Sequence, residues 1–420
     1  MQELSEQIHS LCQKAKEASR KLAEVPSKTF DQALMAIGEE LLLQKKQVLA
    51  ANEQDVDRAK NAGLSEAMID RLYLGEKRFG ALLKALEEIV YLPSPLGEVI
   101  EQWKRPNGLL IKKIRVPIGL IGIIYESRPN VTVDSSALCL KSGNAVILRG
   151  GKEAFNTNRV LVDSIREGLK KAKVVEDAVV LIPTTDRQTI PILCSQKGLI
   201  DLLIPRGGKG LIETVVDHAK VPVIKHYQGI CHVYVHSKAS FEKALRIVLN
   251  AKCQRPAVCN AMETLLIDEE IAPDFLPLVV EELQKKGVEV RGDARCLNIV
   301  GNRITPAVEE DWATEYLDLI LSVKIVKNLD EAIDHIHKYG SNHSDAIVTE
   351  ESGAAEAFLH RVDSAAVYWN ASTRFTDGFE FGFGAEIGIS TDKIHSRGPM
   401  GLKELTTYKY IVYGNGQVRS

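Results

Sequence analysis

The sequence has no C-x-x-C pair, and its seven cysteines (Cys12, Cys139, Cys194, Cys231, Cys253, Cys259 and Cys296) are odd in number and far apart. That pattern argues against a disulfide framework or a zinc knuckle and suits reduced thiols, so no metal site is expected. No long apolar run is present. The longest, Ile118 to Tyr125, falls far short of the roughly 20 residues a membrane span needs. Charge of one sign is lacking too. The net charge of −3 points to no nucleic acid and no membrane surface as partner. The opening MQELSEQIHS has neither the basic stretch nor the apolar core of a signal peptide, so a cytoplasmic location is expected. What is there is ordinary for a soluble globular chain, 45% apolar and 26% charged, and 420 residues are enough for two or three domains.

The first ninety residues read as helices. Leu4, Ile8, Leu11, Ala15, Ala18 and Leu22 recur at helical spacing over 3–25, and Pro26 closes that stretch. Ser27, Asn52 and Ser65 are expected N-caps for the helices after it. Nothing here carries obvious chemistry, and packing is its expected role. Val99 to Trp103 and Leu109 to Val116 flank a Pro106-Asn107-Gly108 turn, a hairpin signal. Leu405 to Tyr413 is another strand-like run. Two half-exposed strand segments are an edge liability that pairing between subunits would cover, so a homo-oligomer, dimer or tetramer, is expected.

From Pro117 to Val235 strands and helices alternate. Expected strands are Ile118–Tyr125, Ala145–Arg149, Ala178–Ile182, Leu199–Ile204 and Val221–Lys225, with helices at Ser135–Lys141, Asn156–Lys171 and Ile190–Gln196. Near-continuous apolar strands alternating with helices imply a parallel sheet covered on both faces. Ligands bind such sheets beyond the carboxyl ends of the strands. Two glycine clusters fall there, Arg149-Gly150-Gly151-Lys152 and Pro205-Arg206-Gly207-Gly208-Lys209-Gly210. Neither is a G-x-G-x-x-G or Walker motif, but both let backbone N–H groups approach a phosphate. A second α/β unit follows, with expected strands at Thr264–Ile267, Ile320–Val326, Asp345–Thr349 and Ala365–Trp369. Cys259 lies near its start, in a short irregular segment where Pro256 stops the preceding helix. A thiol held on a loop between regular elements is where a nucleophile would be placed.

These parts, in this order, resemble the aldehyde dehydrogenase superfamily, and most closely its acyl-phosphate-reducing branch. The residues that carry the likeness are YESRPNVTVD at 125–134, KSGNAVILRGGKEA at 141–154, PRGGKGLI at 205–212, RPAVCNAMETLL at 255–266 and FGFGAEIGIST at 381–391. The resemblance implies an α/β fold with a Rossmann-type NADP-binding domain over 1–233, interrupted by an oligomerisation hairpin at 99–117. A catalytic domain would span 234–395, and a C-terminal return with an oligomerisation strand 396–420. It implies Cys259 as the catalytic thiol and the Asn130 amide as part of an oxyanion hole. Gly207 and Gly208 would meet the cofactor pyrophosphate, Arg149 and Lys152 the adenosine ribose, and Glu315 the nicotinamide ribose. A Phe-Gly-Pro that follows this glutamate in the superfamily is replaced here by Leu317-Asp318-Leu319.

The hydrolytic members carry a glutamate base in a segment that here reads KHYQGICHVY, 225–234, and no glutamate occurs between Glu213 and Glu242. Without it water is a poor acceptor and phosphate takes its place, unless His226 or His232 substitutes as base. Lys152 suits a 2′-phosphate and so NADPH, or is simply a solvated lysine. The reaction implied is reduction of L-glutamate 5-phosphate, supplied by a glutamate 5-kinase, to L-glutamate 5-semialdehyde through a Cys259 thioester, as the second step of proline biosynthesis from glutamate. The alternative is a hydrolytic NAD(P)-dependent aldehyde dehydrogenase acting on another aldehyde. Arg128 and Arg374 are the expected holders of the substrate's anionic groups. Arg255 could equally pair with a structural carboxylate.

Overall fold

The computed structural model describes residues 2–225 and 228–419. The chain forms two compact units. The first comprises Met1–Lys225, Gly382–Gly388 and Met400–Ser420, and the second His226–Phe381 and Ile389–Pro399. The expected boundary at 233/234 falls inside a strand of the second unit. The C-terminal return is divided, with 396–399 in the second unit and the remainder in the first.

The first unit opens on five helices, α1 (Gln2–Leu22), α2 (Ser27–Leu43), α3 (Lys45–Asn61), α4 (Glu66–Leu72) and α5 (Glu76–Tyr91). The apolar stripe of α1 is buried from Ile8 to Leu22. Two of the three expected caps are corrected. Ser27 already belongs to α2, and Pro26 sits at the cap position without a side-chain bond. Asn52 lies inside α3, where its buried amide donates to Leu72 O and accepts from Leu74 N–H. Tertiary contact, not helix start, accounts for it. Ser65 does cap α4.

The hairpin β1 (Val99–Lys104) and β2 (Leu110–Pro117) follows. Then come β3 (Leu120–Tyr125), α6 (Pro129–Lys141), β4 (Ala145–Arg149), α7 (Phe155–Lys171), β5 (Val179–Leu181), α8 (Thr189–Cys194), β6 (Leu202–Arg206) and α9 (Lys209–His218). The four sheet strands run parallel in the order β5-β4-β3-β6. Every residue of β3 and β4 is buried, as unbroken apolar strands require. Each such Ile, Leu or Val contributes about 1.5–3 kcal/mol. The expected strand Val221–Lys225 reduces to one bridge, Val223 to Leu203. Pro222 has no N–H to give a ladder, although its carbonyl accepts from Leu203.

The second unit holds β7 (Cys231–Val235), α10 (Phe241–Cys253), β8 (Met262–Asp268), α11 (Ala272–Lys285), β9 (Glu289–Gly292), α12 (Ala294–Val300) and β10 (Thr305–Pro306). It continues with β11 (Ile320–Val326), α13 (Leu329–Tyr339), β12 (Ser344–Val348), α14 (Ser352–Arg361) and β13 (Ala366–Trp369). Its sheet is parallel in the order β10-β9-β11-β8-β7-β12-β13. The strands β7 and β9 were not anticipated. CHVYV mixes a cysteine, a histidine and a tyrosine into its run, and EVRG is too short to show an alternation.

After the small pair β14 (Ile389–Ser390) and β15 (Gly398–Pro399), the chain ends on β16 (Thr406–Tyr413). The last strand pairs antiparallel with β2, giving a three-stranded sheet β1-β2-β16. The two exposed segments read from the sequence therefore share one ribbon, which keeps Tyr408, Tyr410, Val412 and Tyr413 exposed. No helix among the described residues is long and apolar enough to cross a membrane.

Candidate active site

In the second unit α10 ends at Cys253, two residues before Arg255, whose helical geometry the following Pro256 disfavours. The chain then turns irregularly until β8, and Cys259, half-buried, lies on this turn at the amino end of the strand. The same edge carries Gly229, which precedes β7, and Glu315, which precedes β11. The rule that ligands gather at carboxyl ends thus does not describe this unit, because its loops of interest feed into the strands.

Gly229 explains how the Cys259 loop is held. A Cβ there would lie 1.8 Å from the Cys259 carbonyl oxygen and 2.4 Å from its carbon. Only glycine admits so close an approach of two backbones. Its N–H donates to Glu315 Oε1 at 2.8 Å, and the Cys231 thiol donates to the Cys259 carbonyl at 3.2 Å. Two residues past Glu315 the backbone is left-handed at Leu317, φ +55°. The Leu317 N–H donates to Glu263 Oε1 at 3.2 Å, and Glu263 Oε2 pairs with Lys252 Nζ at 2.5 Å with both side chains fully buried. Burial pushes the Glu263 carboxyl up and the Lys252 ammonium down, each toward its neutral form, and their mutual attraction opposes both shifts. Burial also raises Glu315, while the Gly229 N–H lowers it. Gly229→Ala is expected to cut turnover by about 10²-fold or more, since a displacement of about 1 Å at a reacting group costs that much. Steady-state kinetics beside an unchanged circular dichroism spectrum would check it.

Asn260, next in the chain, is tied to a second loop. Its amide donates to Thr376 O at 2.8 Å and Arg374 O at 3.4 Å, and the Thr373 hydroxyl donates to Asn260 O at 2.8 Å. Arg374 Nε donates to Gln254 Oε1 at 2.8 Å. Burial lowers the Arg374 guanidinium, and Arg255 nearby repels it, while the acidic groups of Cys259, Asp377 and Cys231 act the other way. No carboxylate among the described residues pairs with Arg255, and its guanidinium stands near that of Arg374. His232 is fully buried and bonded through Nδ1 to Asp345 at 2.9 Å, a packed histidine without access to a reacting group. His226 lies outside the described residues.

In the first unit every candidate lies at or just after the carboxyl end of β3, β4 or β6. Arg128, exposed, is the N-cap residue of α6. Asn130 lies in that helix's first turn, and its amide donates to Asp134 Oδ2 at 2.9 Å. Burial pushes Asp134 up to about 6, against the pull of Asn130 and Arg206. Gly207 and Gly208 precede α9, and the Gly208 N–H donates to Glu126 Oε2 at 3.0 Å, a carboxylate at a helix start as the dipole favours. Arg149 is buried and spends its guanidinium on Thr189 Oγ1 at 3.2 Å and on the carbonyls of Thr185 and Asp186 at 3.2 and 3.3 Å. It braces that loop rather than presenting donors outward. Gly151 sits close to the chain after β3, since a Cβ there would lie 2.8 Å from Glu153 Oε2 and 3.2 Å from Ser127 N. Lys152 is exposed and lines a cavity of about 520 Å³. Glycines that bring backbone close, a helix start and a lysine-lined cavity together suit a dinucleotide phosphate.

Cys259, Arg374 and Glu315 are thus gathered at one edge of the second sheet, and Arg128, Asn130, Arg149, Lys152, Gly207 and Gly208 at one edge of the first. The sequence reading missed Gly229, Cys231, Lys252, Glu263 and Asn260. The one signal on offer was the glycine at 229, inside a segment noted only for lacking glutamate.

Residues 2–301 match the family model described as the aldehyde dehydrogenase family. The chain belongs to that family, and it has the family's α/β fold. A structure of an acetylating aldehyde dehydrogenase from Geobacillus thermoglucosidasius, 16% identical, shares the fold at a TM-score of 0.70 and is covered over 98% of its chain by 100% of this one. Within the family the chain groups with the gamma-glutamyl phosphate reductases. It is 56% identical to the one from Carboxydothermus hydrogenoformans over 99% of this chain and 100% of that one. It is 50% identical to a solved one from Thermotoga maritima, at a TM-score of 0.96 over 98% and 99% of the two chains.

Proposed function

We propose that this chain reduces L-glutamate 5-phosphate to L-glutamate 5-semialdehyde and phosphate with NADPH, as the second step of proline biosynthesis from glutamate, in the cytoplasm. The observation that carries the reading is the nucleophile loop itself. Cys259 is clamped by Gly229, in a segment with no glutamate to activate water, beside two arginines suited to a substrate with carboxylate and phosphate groups.

In this mechanism the Cys259 thiolate attacks the acyl carbon. An ordinary thiol is only a few per cent ionised at neutral pH but is intrinsically very nucleophilic. Phosphate departs and leaves a thioester on Cys259. When bound, the cofactor would supply the hydride that reduces the thioester. Collapse of the resulting thiohemiacetal oxyanion releases the semialdehyde and restores the Cys259 thiolate. At each tetrahedral stage the developing oxyanion takes hydrogen bonds from the Cys259 N–H and the Asn130 amide, which Asp134 orients. Arg128 and Arg374 hold the substrate's anions, with Arg255 as a further donor. Lys152, Gly207 and Gly208 serve the adenosine and pyrophosphate groups of the cofactor, with Arg149 bracing the neighbouring loop from behind, and Glu315 serves its nicotinamide ribose with the oxygen that Gly229 leaves open. A glutamate 5-kinase supplies the substrate. The exposed ribbon β1-β2-β16 joins subunits into a homodimer or homotetramer.

The test runs the reaction backward, with glutamate 5-semialdehyde and NADP⁺ or NAD⁺, with and without inorganic phosphate. Turnover is expected to require phosphate and to favour NADP⁺. Turnover that proceeds equally well without phosphate would return the hydrolytic reading.

A further inference from the structure

Helix α3, which the sequence marks as packing alone, forms one wall of the cavity beside Lys152. Asp55 and Arg58 line it from α3, Lys152 and Glu153 from the loop after β4, and Thr184 and Thr185 from the loop after β5. The two carboxylates are already engaged. Asp55 is fully buried and accepts from the backbone N–H and hydroxyl of Thr157 at 2.8 and 2.7 Å, so it caps the start of α7 from a helix about a hundred residues earlier. It also pairs with one amine of Arg58. Glu153 accepts from the Ser127 hydroxyl at 3.2 Å. The Arg58 side chain remains 59% exposed, and Lys152 is exposed on another wall.

We infer that Arg58 is a specificity-determining residue which, with Lys152, seats a phosphate monoester on the 2′ position of an adenosine ribose. This rests on the cofactor reading above and says which residues enforce it. Three features of the cavity support it. The hydrogen bonds from Thr157 to Asp55 fix α3 against α7, so the backbone that carries Arg58 is held as a wall of the cavity that Lys152 also lines. Arg149 holds the carbonyls of Thr185 and Asp186, which stiffens the loop whose threonine hydroxyls can donate to a phosphate oxygen. A guanidinium keeps planar paired donors for a phosphate even with one amine spent, whereas a lone exposed lysine offers a weak point charge. A cofactor with a bare 2′-hydroxyl has no anion to place there and gains nothing from Arg58.

Dissociation constants of NADPH, NADH, 2′,5′-ADP and 5′-AMP would be measured by fluorescence or calorimetry on the wild-type chain, Arg58→Gln and Lys152→Gln, without substrate or turnover. Arg58→Gln keeps an amide donor for Asp55. It is expected to weaken NADPH and 2′,5′-ADP by about tenfold or more, the worth of a hydrogen bond to a charged group, and to leave NADH and 5′-AMP unchanged. In the wild-type chain, 2′,5′-ADP and not 5′-AMP is expected to protect Arg58 from phenylglyoxal, read by peptide mass spectrometry. That readout stands even if the variant folds poorly. Loss of affinity for all four ligands alike, or for none, together with no selective protection, overturns the role of Arg58. A wild-type chain that prefers NADPH through Lys152 alone would overturn Arg58 and leave the cofactor reading intact. A wild-type chain that binds NADPH and NADH equally would remove the cofactor reading itself.

Discussion

Cys259→Ser is expected to lower the phosphate-dependent oxidation of glutamate 5-semialdehyde by about 10⁴-fold or more, the scale seen when a covalent nucleophile is deleted. The swap removes one atom's chemistry and little else. The side chain is half-buried, and the contacts that seat the loop run through its carbonyl, which accepts from Cys231 and lies against Gly229. Folding should therefore be untouched, and cofactor binding with it. Stopped-flow mixing with the aldehyde separates the roles. The wild type should show a burst of reduced cofactor before phosphate-limited turnover, and the variant none. A variant that turns over within tenfold of the wild type would remove Cys259 from the mechanism.

Lys252→Met should show the largest loss of stability. The pair with Glu263 has no solvent exposure on either side chain, and removing one member leaves an uncompensated buried carboxylate, a cost of about 3–5 kcal/mol. The sign of the pH dependence follows from Glu263, whose carboxyl is raised by burial and lowered by Lys252. A raised carboxyl holds its proton more tightly in the folded chain than in the unfolded one. Its stabilising share is whole below the ordinary carboxylate range and is lost as pH climbs through the raised value. Taking away Lys252 lifts Glu263 further. The deficit of the variant should therefore be small near pH 5, where Glu263 is protonated, and large near pH 8. Urea midpoints at the two pH values check this, and Lys252→Met combined with Glu263→Leu should recover much of the loss. A deficit independent of pH would show that packing of the lysine stem, not charge, is what the pair contributes.

Glu263 also ties stability to the site. It holds Leu317 in a left-handed conformation, and Leu317 sets Glu315, which holds Gly229 against Cys259. Nothing local in the sequence announces this. Lys252 and Glu263 look like two more charges among many until α10 and β8 are packed together. The same holds for Asp55, whose partner Thr157 is remote in the chain, and for Asn52, which resembles a helix cap until its amide is seen reaching the turn after α4.

Other features were legible because their signals are local. Strand-and-helix alternation from Pro117 onward needs only runs of Ile, Leu and Val at the right period. The strands β3, β4 and β11 lie close to where that period puts them. Glycine clusters after β4 and β6 mark turns that any parallel sheet would place at one edge. Cys259 stood out because proline and short-range polarity isolate it on a loop, and the motifs around it are contiguous.

By itself, then, the sequence determined the α/β class, the order of the elements and the family motifs, and it singled out Cys259 as the thiol to test, since each depends on residues within a few positions of one another. The tertiary structure decided that the second unit gathers Gly229, Cys259 and Glu315 at the amino ends of its strands, that Gly229 lies against the Cys259 carbonyl, that β2 finds its partner in β16 nearly three hundred residues later, and that α3 walls a cavity where Arg58 and Lys152 stand with Asp55 and Glu153. Those outcomes depend on sheet order and on which buried groups find a partner. Both are set by closure of long loops and by desolvation, which act between residues far apart in the chain.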